Sequence, residues 1–294
     1  MLKKVNRAVE LLEQGQPIYY TGGHTGHVLT HEQGKKDAGT WADYINIGME
    51  HGAFNMSGLD AYMQGLVENG PTNSGHKTPA VIVEVPVDGS SEEIIRYNAW
   101  QFRQILARGV HGILLCMAES PDAVRTFVES CRYPINNNGV ARGLGIGTRG
   151  IGSEPSAMSI WGVDRDTYIR KADPWPLNPD GELLLGIKIE NLRSVSNLEQ
   201  TLKVPGIGFA EMGPGDLSMS LGYMNVSRGS YPPEMQEAHD RVKKACQENS
   251  VAFLDSATPE NIKQKIDEGA RIFSGQQEDT AQIGREYTKR KMPV

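Results

Sequence analysis

The sequence predicts an α/β protein, a (β/α)8 TIM barrel, and three observations predict it. Eight short apolar runs with strand character recur along the chain, helical patterns separate them, and the alternation occupies about 250 residues, the size of a parallel eight-stranded barrel. The runs are PIYYTGG (17–23), YINIGME (44–50), AVIVEVP (80–86), GILLCM (112–117), LLLGIKIE (183–190), GFAEMG (208–213), VAFLD (251–255) and RIFSG (271–275). Between them, SSEEIIRYNAWQFRQILARG reads as a helix ended by Gly109, and SPDAVRTFVESCRYP as a helix with Ser120 at its N-cap and Pro121 at its first position. The leading segment MLKKVNRAVELLEQG has its apolar residues at helical spacing and is expected to form an N-terminal helix. A doubly wound open sheet would need a Gly-rich phosphate turn opening its first helix, and YYTGGHTGH is not GxGxxG. The chain is expected to form one domain over residues 1–294, with insertions near 22–42 and 135–182 that reach the catalytic face or an oligomer contact.

Composition narrows the partners. The 294 residues carry a formal net charge of -6, so no basic excess exists to neutralise the phosphates of nucleic acid or an anionic membrane surface. No apolar run is long enough to span a bilayer, and the first segment lacks the apolar core of a signal peptide. Cys116, Cys131 and Cys246 have no CxxC spacing, which argues against a disulfide framework or a structural zinc site and fits a reducing cytoplasm.

The chemistry-bearing residues collect at predicted strand ends. In GIKIENL, Lys188 and Glu190 are two apart on one strand and therefore share a face. MGPGDLS places Asp216 just past the next strand, after a Gly-Pro-Gly turn. Two carboxylates on adjacent strand ends can share one hard cation and leave positions for water and substrate oxygens. The same residues also suit a helix cap at Glu190 and an N-cap at Asp216. In YINIGMEHGAF, Glu50 and His51 sit where a strand gives way to a loop; His51 suits a general base or a hydrogen-bonded structural histidine. His24, His27 and His31 lack a metal-ligand spacing and read as part of a polar loop, and Cys116 reads as a buried inert thiol.

GIKIEN and FAEMGPGDLSMSLGY, preceded by INIGMEHGAF, GVHGILLCMAES, CRYP and GTRGIGS, resemble the HpcH/HpaI aldolase family of the phosphoenolpyruvate/pyruvate barrel superfamily, in the same order from about residue 17 to about residue 285. The resemblance implies a divalent cation (Mg, Mn or Co) held by Glu190 and Asp216, chelating a 2-oxo acid so that an enolate is stabilised and a carbon–carbon bond is made or broken. It implies His51 as the catalytic histidine and Glu50 as its acidic neighbour. Gly213, Pro214 and Gly215 match the turn that contacts the oxo-acid carboxylate, and with Arg149 of GTRGIGS they form the implied substrate-binding set. It further implies a homo-oligomer, a hexamer or trimer, with an exchanged C-terminal helix; the cytoplasmic location is expected from the cysteines and the first segment.

Three positions depart from that pattern. Gly48 stands where the family has an Asp that orients the histidine, Glu84 where it has an Arg on the third strand, and Lys188 where it has a Gln. The expectation is a relocated cation, with Lys188 reaching the substrate and Glu84 holding it by an ion pair. The function expected is a metal-dependent, aldolase-like carbon–carbon lyase acting on a hydroxylated 2-oxo acid or related carbonyl compound. The alternatives are another metal-enolate reaction, such as hydration or decarboxylation, and an inactive binding barrel.

Overall fold

The computed structural model describes residues 4–227, 229–274 and 278–294. Helix α1 (Arg7–Glu13) is followed by β1 (Ile18–Gly23), α2 (His31–Asp37), β2 (Tyr44–Gly48), α3 (Met56–Glu68), β3 (Ala80–Asp88), α4 (Glu92–Leu106), β4 (Gly112–Cys116) and α5 (Pro121–Cys131). Then come α6 (Glu154–Trp161), α7 (Arg165–Lys171), β5 (Pro174–Trp175), β6 (Leu183–Ile189), α8 (Leu192–Thr201), β7 (Phe209–Met212) and α9 (Pro214–Ser220). The chain continues through α10 (Pro233–Glu248), β8 (Ala252–Ser256), α11 (Ile262–Asp267), β9 (Ala270–Ser274) and α12 (Glu278–Tyr287).

All strand pairings are parallel, and the sheet closes because β4 pairs with β6 while β1 pairs with both β2 and β9. Eight strands form the closed barrel; the two-residue β5 is an extra strand beside the start of β6. Each of the eight predicted runs is one of the barrel strands, although Gly275, the end of the last run, lies outside the described residues. Ser120 caps α5 as expected, its hydroxyl accepting from the Ala123 amide at 3.1 Å.

The period-two alternation of the strands sets a gradient inside the barrel. Near the N-terminal strand ends the interior is apolar, with Ile18, Tyr44, Ile82, Leu184, Phe209 and Ile272 packed against Val9 and Leu11 of α1. Two to four residues further along four of these strands, the buried residues become Asn46, Glu84, Lys188 and Glu211. Apolar filling below thus confines the charged groups to the mouth where the strands end.

The insertions separate. The 22–42 segment follows β1 and reaches the C-terminal mouth, as expected. The 135–182 segment instead follows α5 and leads into β6, so it belongs to the opposite, N-terminal face; there Trp161 donates to the Gly109 carbonyl just before β4. The C-terminal helix packs on the barrel of this one chain. Arg285 lies over the Tyr19 ring at 5.2 Å, and the segment after α12 is fixed by Arg290, whose guanidinium meets both carboxylate oxygens of the fully buried Asp43 at 2.6 and 2.8 Å. That pairing compensates the charge of Asp43, which also accepts from the Tyr19 amide at 2.9 Å and faces Arg7.

Candidate active site

The site is built around Lys188. Its ammonium, nearly buried, lies 2.6 Å from Glu50, 3.1 Å from Glu84 and 3.7 Å from Glu190. Glu84 is fully buried on β3; one oxygen meets His24 Nδ1 at 2.6 Å and the other accepts from the Asn46 amide group at 3.2 Å. At the far side, Glu50 Oε2 is 3.6 Å from His51 Nε2. The result is one chain of charges, His24–Glu84–Lys188–Glu50–His51, with a histidine at each end.

These neighbours set the protonation states. Burial works against the Lys188 ammonium, but the Cys116 sulfur and the carboxylates of Glu190, Glu211 and Glu84 outweigh it and raise its pKa well above the ordinary lysine value. Burial alone would raise Glu84, yet the hydrogen bond from His24 and the charge of Lys188 bring it down to about 2. His24 is raised above the ordinary histidine value, first by its bond to Glu84 and against the effect of burial. Glu190 moves the other way: burial and the nearby Glu50 raise it to about 8, against the pull of Lys188 and the Met117 amide.

Glu190 is fixed by its surroundings. Its Oε1 accepts from the Met117 amide at 2.7 Å, and Met117 adopts a left-handed φ of 48° to make that bond. Gly213 is required opposite, because a Cβ there would lie 2.3 Å from Glu190 Oε2. Asp216 stands at the third position of α9, whose N-cap Gly213 offers no side-chain hydrogen bond. Among the described residues, two groups bring donor atoms within 4.8 Å of one another: Glu50 with His51 and Asp216, and Glu50 with Cys116 and Glu190. Neither group contains both Glu190 and Asp216, the pair expected to share a cation; Glu50 belongs to each. The negative surroundings of the mouth register on Asp88, whose pKa is raised by burial and then by Glu50, Glu119 and Asp216.

Gly48 has a steric cause. It points into the barrel mouth, and a Cβ on it would lie 2.0 Å from the His24 carbonyl oxygen. The backbone after β1 fills the space in which an Asp at 48 would project, and this delivers His24 to Glu84. Sequence reading left His24 in a polar loop; the signal that could have found it is the cluster of Gly22, Gly23, Gly26, Gly48 and Gly52, which lets two loop backbones touch. His27 and His31 lie apart from the site, on Asp37 and Glu68 respectively.

Arg149 is not brought to this cluster. It is buried between the rings of Tyr133 and Tyr168, 4.5 and 5.4 Å from their centroids, and donates to Tyr168 Oη at 2.6 Å. Tyr168 in turn donates to Leu106 O at the end of α4, which places Arg149 toward the N-terminal face. Cys116 is buried, with its thiol pKa raised well above the ordinary value by burial, as an inert thiol would be.

A closed parallel barrel with its polar site at the C-terminal strand ends defines the class of (β/α)8 barrels whose loops carry chemistry on a rigid frame. Within that class, the chain belongs to the HpcH/HpaI aldolase/citrate lyase family, whose signature it matches over residues 36–280. It is 26% identical over 193 residues to the hydroxypyruvate/pyruvate aldolase of Roseobacter denitrificans, a match covering 66% of this chain and 64% of that one. Aldolases are lyases, and the match spans just under two thirds of that relative's length. In fold it is similar to an HpcH/HpaI aldolase/citrate lyase family protein from Burkholderia cenocepacia, with a TM-score of 0.70, 20% identity and 97% coverage of both chains. It is also similar to the citrate lyase beta subunit of M. tuberculosis complexed with oxaloacetate and magnesium, at a TM-score of 0.51, 14% identity, and coverage of 92% of this chain and 96% of that one. No helix among the described residues is long and apolar enough to cross a membrane.

Proposed function

We propose that the protein is a divalent-metal-dependent carbon–carbon lyase acting through an enolate on a hydroxylated 2-oxo acid or a related carbonyl substrate. The observation that carries this reading is Glu50, which touches Lys188, stands beside His51 and belongs to both donor groups at the mouth. One donor group, the carboxylates of Glu50 and Asp216 with the His51 imidazole, fits a hard or borderline cation, and Glu190 stands in the neighbouring group with Cys116, joined to the first through Glu50. Such a cation, as Mg²⁺, Mn²⁺ or Co²⁺, would supply positive charge to a 2-oxo acid's oxygens when bound. The magnesium and oxaloacetate of the citrate lyase beta subunit support the same choice.

The chain's own residues then divide the work. Lys188 sits within reach of the same carboxylates and opposes negative charge that develops on a substrate oxygen. His51, half-exposed and facing Glu50, is placed to take or return a proton at the carbon next to the substrate carbonyl. The backbone of Gly213–Gly215, at an uncapped helix start, is placed to receive a carboxylate. As a point charge Lys188 cannot reproduce a bidentate guanidinium, so the preferred oxo acid differs from that of arginine-bearing relatives.

Exhaustive chelation tests the reading. Cleavage or condensation with pyruvate or hydroxypyruvate as donor should vanish and return with added Mn²⁺ or Mg²⁺; turnover unaffected by chelation removes the metal from the proposal. We further infer a homo-oligomer of three or six chains in the cytoplasm. The exposed Tyr97 and Trp100 of α4, with Phe54 edge-on to Trp100, support association, and light scattering checks it.

A further inference from the structure

Above the ends of β1, β8 and β9 lies a cavity of about 730 Å³ that includes His24 in its wall. A small adjoining space shares Tyr231, His239 and Asp255 with it and extends it to Met212 and Pro214, the start of the turn that carries Asp216. The cavity therefore reaches from His24 to Glu211 and the start of α9. Its walls are mostly hydrogen-bonding. Lys265 is 2.7 Å from Asp255, and His239 is 3.3 Å from the same carboxylate oxygen, so Lys265 already faces an anion. Gln236, Asn261 and Ser256 add neutral donors and acceptors. A space of this make-up suits a neutral hydroxylated chain better than a second carboxylate or a phosphate.

We propose that this cavity seats a neutral hydroxyaldehyde, the second substrate, and that His24 is the catalytic acid–base residue for its carbonyl oxygen. The inference rests on the enolate reading of the site. Nδ1 of His24 is engaged by Glu84 at 2.6 Å, which leaves Nε2 for a ligand, and the side chain is 29% exposed. In condensation, the electron pair of the enolate carbon forms the new bond to the aldehyde carbon. The carbonyl π pair moves onto its oxygen, and the proton on His24 Nε2 passes to that oxygen to give a hydroxyl. The neutral imidazole that remains keeps its hydrogen bond to Glu84. In cleavage the same proton returns to His24 as the bond breaks and the pair goes back to the enolate. Glu84, Lys188 and Glu211 are charged groups near His24, and the hydrogen bond to Glu84 raises its pKa above the ordinary histidine value, against the effect of burial.

The two halves of the reaction can be read separately. Deuterium exchange from solvent into the methyl group of pyruvate reports enolate formation alone; condensation of pyruvate with glyceraldehyde reports both. His24→Gln should slow condensation at least a hundredfold while slowing exchange less than tenfold. Condensation within threefold of wild type would overturn the proposal, and so would an equal loss of both rates in a folded variant, because His24 would then only support Lys188. A wild-type enzyme without exchange would sink the enolate reading itself and this inference with it. If His24→Gln does not fold, the wild-type protein decides: saturating glyceraldehyde should slow ethoxyformylation of His24 by diethyl pyrocarbonate at least threefold, read by peptide mass spectrometry. No protection would count against the assignment.

Discussion

The Lys188 ammonium and the Glu50 carboxylate lie 2.6 Å apart although 138 residues separate them in the chain. One cation thereby answers to three carboxylates, with Glu84 and Glu190 also within 4.0 Å. Lys188→Met should leave those groups without their shared partner. The expected result is a loss of at least about tenfold in kcat/KM, roughly 1.4 kcal/mol of transition-state stabilisation. A stability loss of about 3–5 kcal/mol in urea unfolding should accompany it. Unchanged kinetics with lowered stability would make the bridge purely structural.

Metal uptake should depend on pH through Glu190. Its carboxyl, raised to about 8 by burial and Glu50, must give up its proton before it can ligate. Titration with Mn²⁺ followed by calorimetry should show affinity rising by up to about tenfold per pH unit below about pH 8 and levelling above it. The sign for folding is the reverse: a carboxyl whose folded pKa exceeds its unfolded value contributes stability at low pH that is lost as pH rises toward 8. Glu190→Ala and Asp216→Ala should each weaken Mn²⁺ binding and abolish turnover while the barrel still folds.

Restoring an acidic residue at position 48 should fail. The Cβ of Gly48→Asp would lie 2.0 Å from the His24 carbonyl oxygen, so the loop after β1 must shift. About 1–3 kcal/mol of destabilisation is expected, together with loss of the His24–Glu84 bond, which the titration of His24 followed by NMR would report as a fall in its pKa.

The barrel floor gives a prediction remote from the site. Arg290→Met removes the bidentate partner of Asp43 and leaves the carboxylate to Arg285, at 3.4 Å, the more distant Arg7 and the Tyr19 amide. The expected cost is roughly 3–5 kcal/mol by urea unfolding at pH 7. Burial would raise Asp43, but Arg290 and its neighbours hold it below the ordinary value. Stability from that pairing is present above the unfolded carboxylate range and is lost as pH falls through the folded pKa, so wild type and variant should converge in acid.

The strands were legible because each is a buried β-rich run and the glycines and helix caps between them are local signals. Ser120 and Pro121 show this directly. Glu190, Asp216, Glu50 and His51 were legible as candidates because they end such runs. The position of His24 was not, since it depends on Gly48 and Gly52 admitting a neighbouring loop, a contact between segments that no local pattern encodes. Arg149 failed for a related reason: its motif follows α5 rather than a strand, and that places it beside Tyr133 and Tyr168 instead of the mouth. The Asp43–Arg290 pairing was not legible, because sequence shows the amphipathic face of the final helix but not what the segment after it meets.

That last pairing has a bearing on how the chain is made. Asp43 and Arg290 are 247 residues apart, and β1 waits equally for β9. At roughly 5–20 residues per second of synthesis, on the order of ten to fifty seconds separate the appearance of the two partners on the ribosome. During that interval the first strands have an open edge and Asp43 lacks the guanidinium that compensates it. The barrel can therefore close only after β9 has left the exit tunnel, and the ion pair that neutralises Asp43 forms later still.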